Sequence, residues 1–477
     1  MQLNFIANAS SPSSSGLTIK VIDPSDGQPY DEIQRSNAQD IEVAVSAARH
    51  CLDSVWSKLS ATERGRLLMR LSQSVSDHAE ELTLIEQRDC GKPTQQARAD
   101  VTALARYFEF YAGACDKFHG ETIPYQNGYS VLSWYEPHGV TGHIIPWNYP
   151  LQIFGRSVGA ALAAGNACVV KPSEDACLSL LRLAQLAAEV GFPAGAINIV
   201  TGLGHEAGDA LARHPGVDHI SFTGSPFVGT LIQQAAALRH CPVTLELGGK
   251  SPQIVFADSD LDAAIPVIVN AIVQNAGQTC SAGSRLLVEQ KIYEPLLKRL
   301  GRAFENLRVG PAKLDLDLGP LIRQSQQQRV WDFLSDAQVA NIPMVAQGQI
   351  VDEAPETGFY QAPTLLRDVP LSHPLAQQEV FGPVLAAMCF QDEDHAIELA
   401  NGTDFGLVAG LWTRDGARQF RMAHALKCGQ VFVNNYGTGG GVELPFGGVK
   451  SSGFGREKGL AALHGFSTLK TVAFKHG

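Results

Sequence analysis

The sequence lacks the features that mark several large classes of protein. Its nine cysteines form no Cys-x-x-Cys pair and have no spacing suited to a zinc site. No window approaches the roughly 18 apolar residues that a membrane span requires. Residues 1–16 are polar and rich in serine, unlike a secretory signal. We therefore predict no metal site, no membrane segment, and a cytoplasmic protein whose thiols stay reduced.

Also missing is any run of lysine and arginine. The chain has 37 basic and 48 acidic residues, which gives a formal net charge of −11. This balance disfavours binding to nucleic acid or to an anionic membrane, so we expect a small molecule as the partner. There is no internal repeat, and beyond the serine-rich start there is no low-complexity segment.

The chain has enough apolar sequence for more than one core. It has 477 residues, of which 45% are hydrophobic, and this suits two or three domains. Residues 36–118 show the spacing of amphipathic helices. Between 140 and 247, short apolar runs alternate with helical stretches, which predicts a doubly wound parallel sheet. A second alternating region over 261–434 predicts another α/β domain, and the run 468–475 predicts an edge strand.

Two residues, one in a loop of small residues and one among apolar residues, have side chains that could take part in catalysis. Cys280 follows a predicted helix in a loop of small residues, where its thiol could be ionised and presented to a carbonyl carbon. A free cysteine is more often a small buried hydrophobe. Glu246 stands among apolar residues at a predicted strand end. Desolvation there would raise its pKa towards that of a general base, or the carboxylate is one half of a structural ion pair.

Three further segments follow predicted strands, at the sheet edge where open α/β sheets bind ligands. Asn148 comes after the first strand, and its amide could donate to an oxyanion or shape a turn between two prolines. Lys171 and Glu174 follow the next strand and could bond ribose hydroxyls or lie on the solvated surface. The turn 221–229 could meet a pyrophosphate with backbone N–H groups, although it is not the GxGxxG fingerprint.

Taken in order, these motifs resemble those of the NAD(P)-dependent aldehyde dehydrogenase superfamily. The resemblance covers nearly the whole chain, from Asp-Pro-Ser-Asp-Gly at 23–27 to Lys-Thr-Val at 470–472. Its most specific segments are PWN (146–148), KPSE (171–174), FTGS (222–225), LELGGK (245–250), GQTC (277–280), EVFGP (379–383), PFGG (445–448) and SGFGRE (452–457). It implies an α/β fold with a Rossmann-type cofactor domain, an α/β catalytic domain and a small β bridging element.

The resemblance also implies domain boundaries and self-association. The cofactor domain would comprise 1–117 and 138–248, and the catalytic domain 249–459. The segments 118–137 and 460–477 would form the bridging and oligomerisation element. Its strand 468–475 would pair with a neighbouring subunit's sheet to give a homodimer or homotetramer, and an otherwise exposed edge strand supports this physically.

Site roles follow from the same resemblance. Cys280 matches the nucleophile and Glu246 the general base, and Asn148 would form the oxyanion hole with the backbone N–H of Cys280. NAD is favoured over NADP, because Glu174 should accept ribose hydroxyls and repel a 2′-phosphate. The residues implied at the cofactor are Ile145, Trp147, Lys171, Ser173, Glu174, Gly224, Ser225, Gly229, Glu379 and Phe381.

The reaction implied is NAD-dependent oxidation of an aldehyde to a carboxylic acid, through a thiohemiacetal and a thioester on Cys280. Glu246 would activate the water that hydrolyses the thioester, which favours hydrolysis over transfer to coenzyme A. A cofactor-independent thiol hydrolase or acyltransferase is an alternative, and the cofactor motifs speak against it. A non-catalytic relative is another, but it would be expected to lack Cys280 or Glu246.

The substrate is less constrained. Arg156 resembles both the succinate-semialdehyde branch, where it meets a carboxylate, and the benzaldehyde and vanillin branch; a structural salt bridge is the alternative. The small residues 437–441 should leave the substrate tunnel open, and Glu443 could attract a cationic aldehyde or face solvent. We expect a bulky aromatic or unsaturated aldehyde, with acid semialdehydes or aminoaldehydes as alternatives. The substrate contacts expected on this basis are Tyr149, Arg156, Thr279, Ser281 and Glu443.

Overall fold

Local sequence signals determine where several helices begin. Helix α1 (Ala38–Ser54) and helix α2 (Ala61–Asp77) both start with a capping box, in which the cap side chain and an acidic residue three positions later bond each other's backbone N–H. The computed structural model describes residues 1–437 and 441–477. Its other helices are α3 (Ala79–Cys90), α4 (Thr94–Ala114), α5 (Pro150–Ala164), α6 (Leu178–Glu189), α7 (Asp209–Arg213), α8 (Pro226–Ala237), α9 (Leu261–Val273), α10 (Tyr293–Glu305), α11 (Gln324–Val339), α12 (Pro374–Gln377), α13 (Glu393–Asn401), α14 (Gly416–Ala425) and α15 (Ala461–Gly465).

The strands are short, and many are rich in β-branched residues, which favour pleated and buried backbone. In chain order they are β1 (Asn4–Ile6), β2 (Ala9–Ser11), β3 (Thr18–Asp23), β4 (Gln28–Gln34), β5 (Thr122–Ile123), β6 (Tyr129–Pro137), β7 (Val140–Ile145), β8 (Ala167–Pro172), β9 (Ile197–Ile199), β10 (His219–Thr223), β11 (Val243–Glu246), β12 (Pro252–Val255), β13 (Arg285–Glu289), β14 (Arg308–Val309), β15 (Met344–Gln347), β16 (Gln349–Ile350), β17 (Thr364–Leu366), β18 (Val384–Phe390), β19 (Phe405–Gly406), β20 (Val408–Trp412), β21 (Gln430–Val433), β22 (Val449–Lys450), β23 (Gly453–Phe454) and β24 (Ser467–Lys475).

The first large sheet carries the predicted nucleotide-binding arrangement. Across the described residues its order is β2-β1-β9-β8-β7-β10-β11-β23. Strands β7 to β11 run parallel, and β1 and β23 add antiparallel partners. Helices α1, α5, α6 and α8 pack on this sheet, so β8 and β10 are buried along their whole length. The predicted doubly wound parallel sheet is confirmed, and the carboxyl ends of β7, β8, β10 and β11 meet at one edge.

The second large sheet belongs to the later half of the chain. Its order in the described residues is β15-β17-β18-β13-β12-β20-β21, with every pair parallel except β15 against β17. A separate hydrophobic cluster, drawn from residues between Ile254 and Leu426, packs around it. The second α/β region predicted from the sequence is therefore present as its own core.

A small antiparallel sheet has the order β24-β6-β5. Strand β24 pairs with β6 of the same chain over nine residues, from Ser467 opposite Pro137 to Lys475 opposite Tyr129. Because β24 lies at the end of this order, its other edge remains available to a neighbouring subunit, and that pairing stays a prediction. None of the helices described is long and apolar enough to cross a bilayer.

Two contacts join segments that are predicted to belong to different domains. Strand β23, within the predicted catalytic segment 249–459, bonds to β11 of the first sheet. Ala462, Leu463 and Phe466, within the predicted bridging segment 460–477, pack into the first sheet's core. The domain boundaries stay a prediction.

Candidate active site

The Cys280 loop begins with strained backbone. After α9, Asn275 and Ala276 adopt left-handed conformations with φ of 48° and 51°, so the chain turns sharply before the cysteine. Cys280 then packs, partly buried, against Leu407, Val408 and Phe446. The backbone of the Gly248–Gly249 loop approaches it so closely that a Cβ on Gly249 would lie 2.3 Å from the Cys280 carbonyl oxygen. The loop following Glu246 and the Cys280 loop are thus packed together.

Asn148 belongs to the same group. It lies between β7 and α5, is buried, and its Nδ2 donates to the carbonyl of Gln278 at 3.0 Å. The carbonyl of Asn148 in turn accepts from Asn275 Nδ2 at 2.9 Å. An amide nitrogen has two N–H donors, so one can hold the loop while the other serves an oxyanion. The sequence placed Asn148 and Cys280 on different units, and the structure brings them together.

Glu246 ends β11 with its side chain 1% exposed. Neither carboxyl oxygen has a hydrogen-bond partner among the described residues. Burial raises the pKa of this carboxyl well above its usual range, Glu457 raises it further, and Arg156 opposes both. A carboxyl in this state holds its proton more tightly than one in water, so its carboxylate form is a stronger base. The sequence left two interpretations of Glu246, a general base or one half of a structural ion pair. The described residues contain no ion-pair partner for it.

The thiol of Cys280 is held protonated by its surroundings. Burial raises its pKa to about 11, the Arg156 guanidinium lowers it, and the carboxylates of Glu379 and Glu246 raise it. At neutral pH the resting state is therefore the thiol, and the nucleophilic thiolate forms only when a base takes its proton.

Arg156 is tied to a carboxylate. Its Nε lies 2.5 Å from Glu457 Oε2, and both side chains are buried. Arg156 also donates to Thr223 Oγ1 at 3.2 Å, and Ser221 donates to the other Glu457 oxygen at 2.8 Å. Its guanidinium carbon is 4.9 Å from the centre of the Phe446 ring. Arg156 thus forms the structural salt bridge that the sequence left open as an alternative. Its positive charge still lowers the pKa of Cys280 and of Glu246.

The predicted ribose contacts lie at the carboxyl end of β8. Lys171 Nζ is 2.9 Å from Glu174 Oε2, with the lysine buried. Burial raises the pKa of Glu174, but the Lys171 ammonium more than offsets this and holds it below the usual value. Ser173, between them, accepts the backbone N–H of Asp175 at 3.3 Å. The group presents an ionised carboxylate acceptor and a cation at the sheet edge.

The predicted pyrophosphate turn joins β10 to α8. Ser225 caps α8 by accepting the N–H of Val228 at 3.3 Å, and Gly229 donates its N–H to the Ser225 carbonyl at 2.9 Å. Because Pro226 has no N–H, the N–H of Phe227 is the one in this first turn that remains for an anion. A Cβ on Gly229 would lie 2.6 Å from a terminal methyl of Leu247, so a larger residue there would have to displace that side chain. Gly224 donates its N–H to the carbonyl of Glu246 at 3.0 Å, which links this turn to the end of β11.

The remaining predicted cofactor residues are Glu379, Trp147, Phe381 and Ile145. Glu379 Oε1 accepts the N–H of Gly249 at 3.0 Å, and burial raises the pKa of this carboxyl to about 7. Trp147 and Phe381 meet edge to face with ring centres 5.4 Å apart, and Ile145 is buried at the end of β7. Carboxylate acceptors at 174 and 379, an N–H donor at a helix start and flat aromatic side chains are groups that can bind a dinucleotide with two riboses.

The predicted substrate residues divide into two groups. Tyr149 and Thr279 share a hydrogen bond of 2.8 Å between their hydroxyls, and the Ser281 carbonyl accepts from Tyr436 at 2.5 Å. Glu443 has a half-exposed carboxylate that lies 2.5 Å from Arg106, a surface arginine of α4, and this position fits the alternative in which Glu443 faces solvent. The prediction of an open tunnel beside 437–441 falls on residues 438–440, which lie outside the described residues.

Three residues near the reacting groups were missed by sequence reasoning. Glu457 and Ser221 hold Arg156, and Lys92 lies beneath Tyr149. Glu457 stands in the SGFGRE segment, which signalled a family match but no partner. Lys92 lies in none of the motifs; its carboxylate partners Glu86 and Asp100 are near in the chain, but the Tyr149 ring that it contacts belongs to a distant segment. No group of three or more His, Cys, Asp or Glu side chains in the described residues could hold a metal ion.

Comparison with known proteins identifies the family. The aldehyde dehydrogenase family model matches residues 11–472. Hydroxyisobutyraldehyde dehydrogenase of Mycolicibacterium austroafricanum is 42% identical over 462 residues, covering 97% of this chain and 91% of the relative. A crystal structure from Burkholderia cenocepacia, assigned to the aldehyde dehydrogenases, has a TM-score of 0.99 and 71% identity, with both chains covered completely.

A solved relative also holds the cofactor. The indole-3-acetaldehyde dehydrogenase AldA of P. syringae, in complex with NAD+ and IAA, has a TM-score of 0.97 and 37% identity, covering 100% of this chain and 97% of the relative. Other solved relatives were also determined with NAD. The chain therefore belongs to the aldehyde dehydrogenase family and is an oxidoreductase that oxidises aldehydes with NAD.

Proposed function

We propose that this enzyme oxidises its aldehyde through covalent catalysis by Cys280, with Glu246 as general base and Asn148 in the oxyanion hole. The observation that carries the proposal is the meeting of these residues from separate segments. The amide of Asn148 bonds the loop two residues before Cys280, and the loop after Glu246 touches the Cys280 carbonyl. A nucleophile, a desolvated base and an amide donor in one buried group suit acyl chemistry.

The reaction uses these groups in sequence. The Cys280 thiol first releases its proton to solvent, the thiolate attacks the aldehyde carbon, and the Asn148 amide and the backbone N–H of Cys280 stabilise the oxyanion. Bound NAD would supply the acceptor for the hydride of that carbon, and loss of the hydride would leave a thioester on Cys280. Glu246 then takes a proton from a water molecule, and the hydroxide attacks the thioester to release the carboxylic acid and the thiolate. Lys171, Glu174 and Glu379 would hold the two riboses.

NAD is proposed in preference to NADP. Glu174 is ionised, since Lys171 holds its pKa below the usual value. A carboxylate accepts ribose hydroxyls and repels a 2′-phosphate. The ratio of kcat/KM for the two cofactors measures this preference, and replacing Glu174 with Gln should move the ratio towards NADP.

For the substrate, we propose a bulky aromatic or unsaturated aldehyde. Support comes from Phe446, whose ring lies beside Cys280, and from Tyr149, whose hydroxyl bonds the neighbouring Thr279. A solved relative is named for indole-3-acetaldehyde, an aldehyde that carries an aromatic ring, and this also supports the proposal. An acid semialdehyde is the second candidate, favoured by the nearness of Arg156 to Cys280 but weakened by the pairing of Arg156 with Glu457. NADH formation across aromatic, aliphatic, amino and acid-semialdehyde substrates distinguishes the candidates.

The deciding test of the mechanism is Cys280→Ala. Aldehyde oxidation should disappear, while NAD binding, followed by nucleotide fluorescence, should be largely retained. Turnover that survives the substitution would remove Cys280 from the mechanism. An enzyme that hydrolyses esters through Cys280 without binding NAD would instead support the thiol hydrolase alternative.

We also propose a homodimer or homotetramer that works in the cytoplasm. The exposed face of α8 carries Phe227 and Leu231 one turn apart, and Leu238 continues it just beyond the helix. This apolar stripe and the open edge of β24 are surfaces that a second copy of the chain would cover. All nine cysteines are free, as suits a reducing compartment.

A further inference from the structure

The loop between α3 and α4 buries a charged lysine beside the active site. Lys92 is fully buried; its Nζ bonds Asp100 and lies 3.8 Å from Glu86 Oε1. Burial by itself lowers the pKa of Lys92, but Asp100 and other neighbours outweigh it and raise the pKa above its usual value. The side chain is therefore a cation, and without the neighbouring carboxylates the burial of its charge would be costly.

This cation faces an aromatic ring of the active site. Lys92 Nζ lies 4.0 Å from the centre of the Tyr149 ring, a close cation–π contact made by a buried ammonium group. At the other end of the ring, the Tyr149 hydroxyl and Thr279 Oγ1 are 2.8 Å apart. Thr279 directly precedes Cys280, and Tyr149 directly follows Asn148. One aromatic side chain thus spans from the buried lysine to both catalytic segments.

The same stretch of chain supports both segments a second time. The Cys90 thiol donates to the carbonyl of Trp147 at 3.2 Å, next to Asn148. Gln96 Oε1 accepts the N–H of Asn275 at 2.7 Å, at the start of the Cys280 loop. Asp100, which holds Lys92, also accepts from Gln152 on α5 at 2.6 Å. Residues 90–100 therefore form a platform under the oxyanion donor and the nucleophile.

We propose that Lys92 is a positioning residue: with Asp100 it fixes the Tyr149 ring, and the Tyr149 hydroxyl fixes the Thr279–Cys280 segment against Asn148. The inference rests on the proposed roles of Cys280 and Asn148. Lys92 touches neither substrate nor cofactor; it acts through Tyr149 on the distance between nucleophile and oxyanion donor. Such a distance matters because a misplacement of about 1 Å can cost on the order of 100-fold in rate.

The first test removes only the hydroxyl link. Tyr149→Phe keeps the ring over Lys92 and loses the bond to Thr279, so kcat should fall about tenfold while the KM for NAD and the unfolding temperature stay near wild type. Tyr30→Phe is the matched control. It also removes a single tyrosine hydroxyl, in this case one that donates to the buried carboxyl of Asp89, and it does not touch the active site. Its kcat should equal that of wild type.

The second test examines the lysine itself. Lys92→Met alone leaves Asp100 buried without its cation and can fail to fold, so Lys92→Met/Asp100→Asn is made, which removes both charges and keeps an acceptor for Gln152. This pair should lower kcat at least as much as Tyr149→Phe. Adding it to Tyr149→Phe should cause little further loss, because both act through the same hydroxyl.

The outcomes separate this inference from the proposed mechanism. Wild-type kcat in Tyr149→Phe, or full additivity of the two changes, overturns the positioning role, even if Cys280→Ala is inactive. Turnover in Cys280→Ala overturns the proposed mechanism, whatever Lys92 does. Loss of kcat in Tyr149→Phe with unchanged KM for NAD, together with non-additivity, supports the role of Lys92.

Discussion

At the scale of single residues, the chemistry of Cys280 depends on its desolvation. Its pKa of about 11 means that the thiol, not the thiolate, is present at neutral pH. Alkylation by iodoacetamide should therefore accelerate about tenfold per pH unit between pH 7 and 10, since only the thiolate reacts. Mass spectrometry of the modified peptide follows the rate, with Cys280→Ala as background. A rate that is flat above pH 8 would contradict this environment.

The role proposed for Glu246 comes after the thioester has formed. Glu246→Gln keeps the size of the side chain but cannot take a proton from water, so NADH should appear in a burst and steady turnover should fall about 10²–10⁴-fold. Stopped-flow absorbance measures both phases. An unchanged steady rate would assign the base to another residue. Glu443→Gln, at the surface, should leave both phases as in wild type.

Arg156 illustrates how burial decides between interpretations. Because it shares a buried ion pair with Glu457, Arg156→Met should cost about 3–5 kcal/mol of stability by leaving Glu457 unpaired. The double variant Arg156→Met/Glu457→Gln should regain most of the unfolding temperature. If Arg156→Met instead keeps wild-type stability and raises only the KM for succinate semialdehyde, Arg156 contacts the substrate.

At the scale of elements, the proposals give α8 two roles on opposite faces. Its start follows the proposed pyrophosphate turn and its Gly229 is buried, while Phe227 and Leu231 are 74% and 46% exposed. Phe227→Lys/Leu231→Lys should reduce the molecular mass measured by light scattering, because charges replace an apolar contact between subunits. Leu84→Lys, an equally exposed leucine on α3, is the control and should leave the mass unchanged. An unchanged mass in the α8 variant would place the interface elsewhere.

The sequence predicted the secondary-structure elements better than it predicted contacts between side chains. The alternation of strands and helices from residue 140 to 247 follows from apolar runs and turn residues that lie within each segment. The strand and helix that frame each motif appear as predicted, so Lys171 and the turn at Ser225 reach the same sheet edge. The addition of β23 to this sheet was not predictable, since its two residues carry no strand pattern and pair with β11 across about 200 positions.

At the scale of the whole molecule, buried histidines make stability depend on pH. Burial lowers the pKa of His143 to about 3 and that of His219 well below its usual value. The unfolded chain binds these protons below pH 6.5 and the folded chain does not, so stability present at neutral pH is lost as the pH falls from 6.5 towards 3. Each histidine contributes about 1.4 kcal/mol per pH unit in that window.

The measurement compares unfolding temperatures at pH 7.5 and 5.5. His143→Gln removes one titrating group and should reduce the loss of stability on acidification relative to wild type. His50→Gln, at an exposed position of α1, should behave as wild type. Equal acid sensitivity in all three proteins would mean that His143 already binds its proton in the folded state.

What the sequence determined by itself was the type and order of the elements and the family. Helix caps, periodic apolar spacing and motifs such as the one around Glu246 act within a few residues, so they can be read locally. The tertiary structure decided which side chains meet. Arg156 finds Glu457 about 300 positions away, and Lys92 meets Tyr149 through a loop packed under another helix. Such pairs form because a buried charge is costly unless a partner lies beside it, and the tertiary fold determines which residue that partner is.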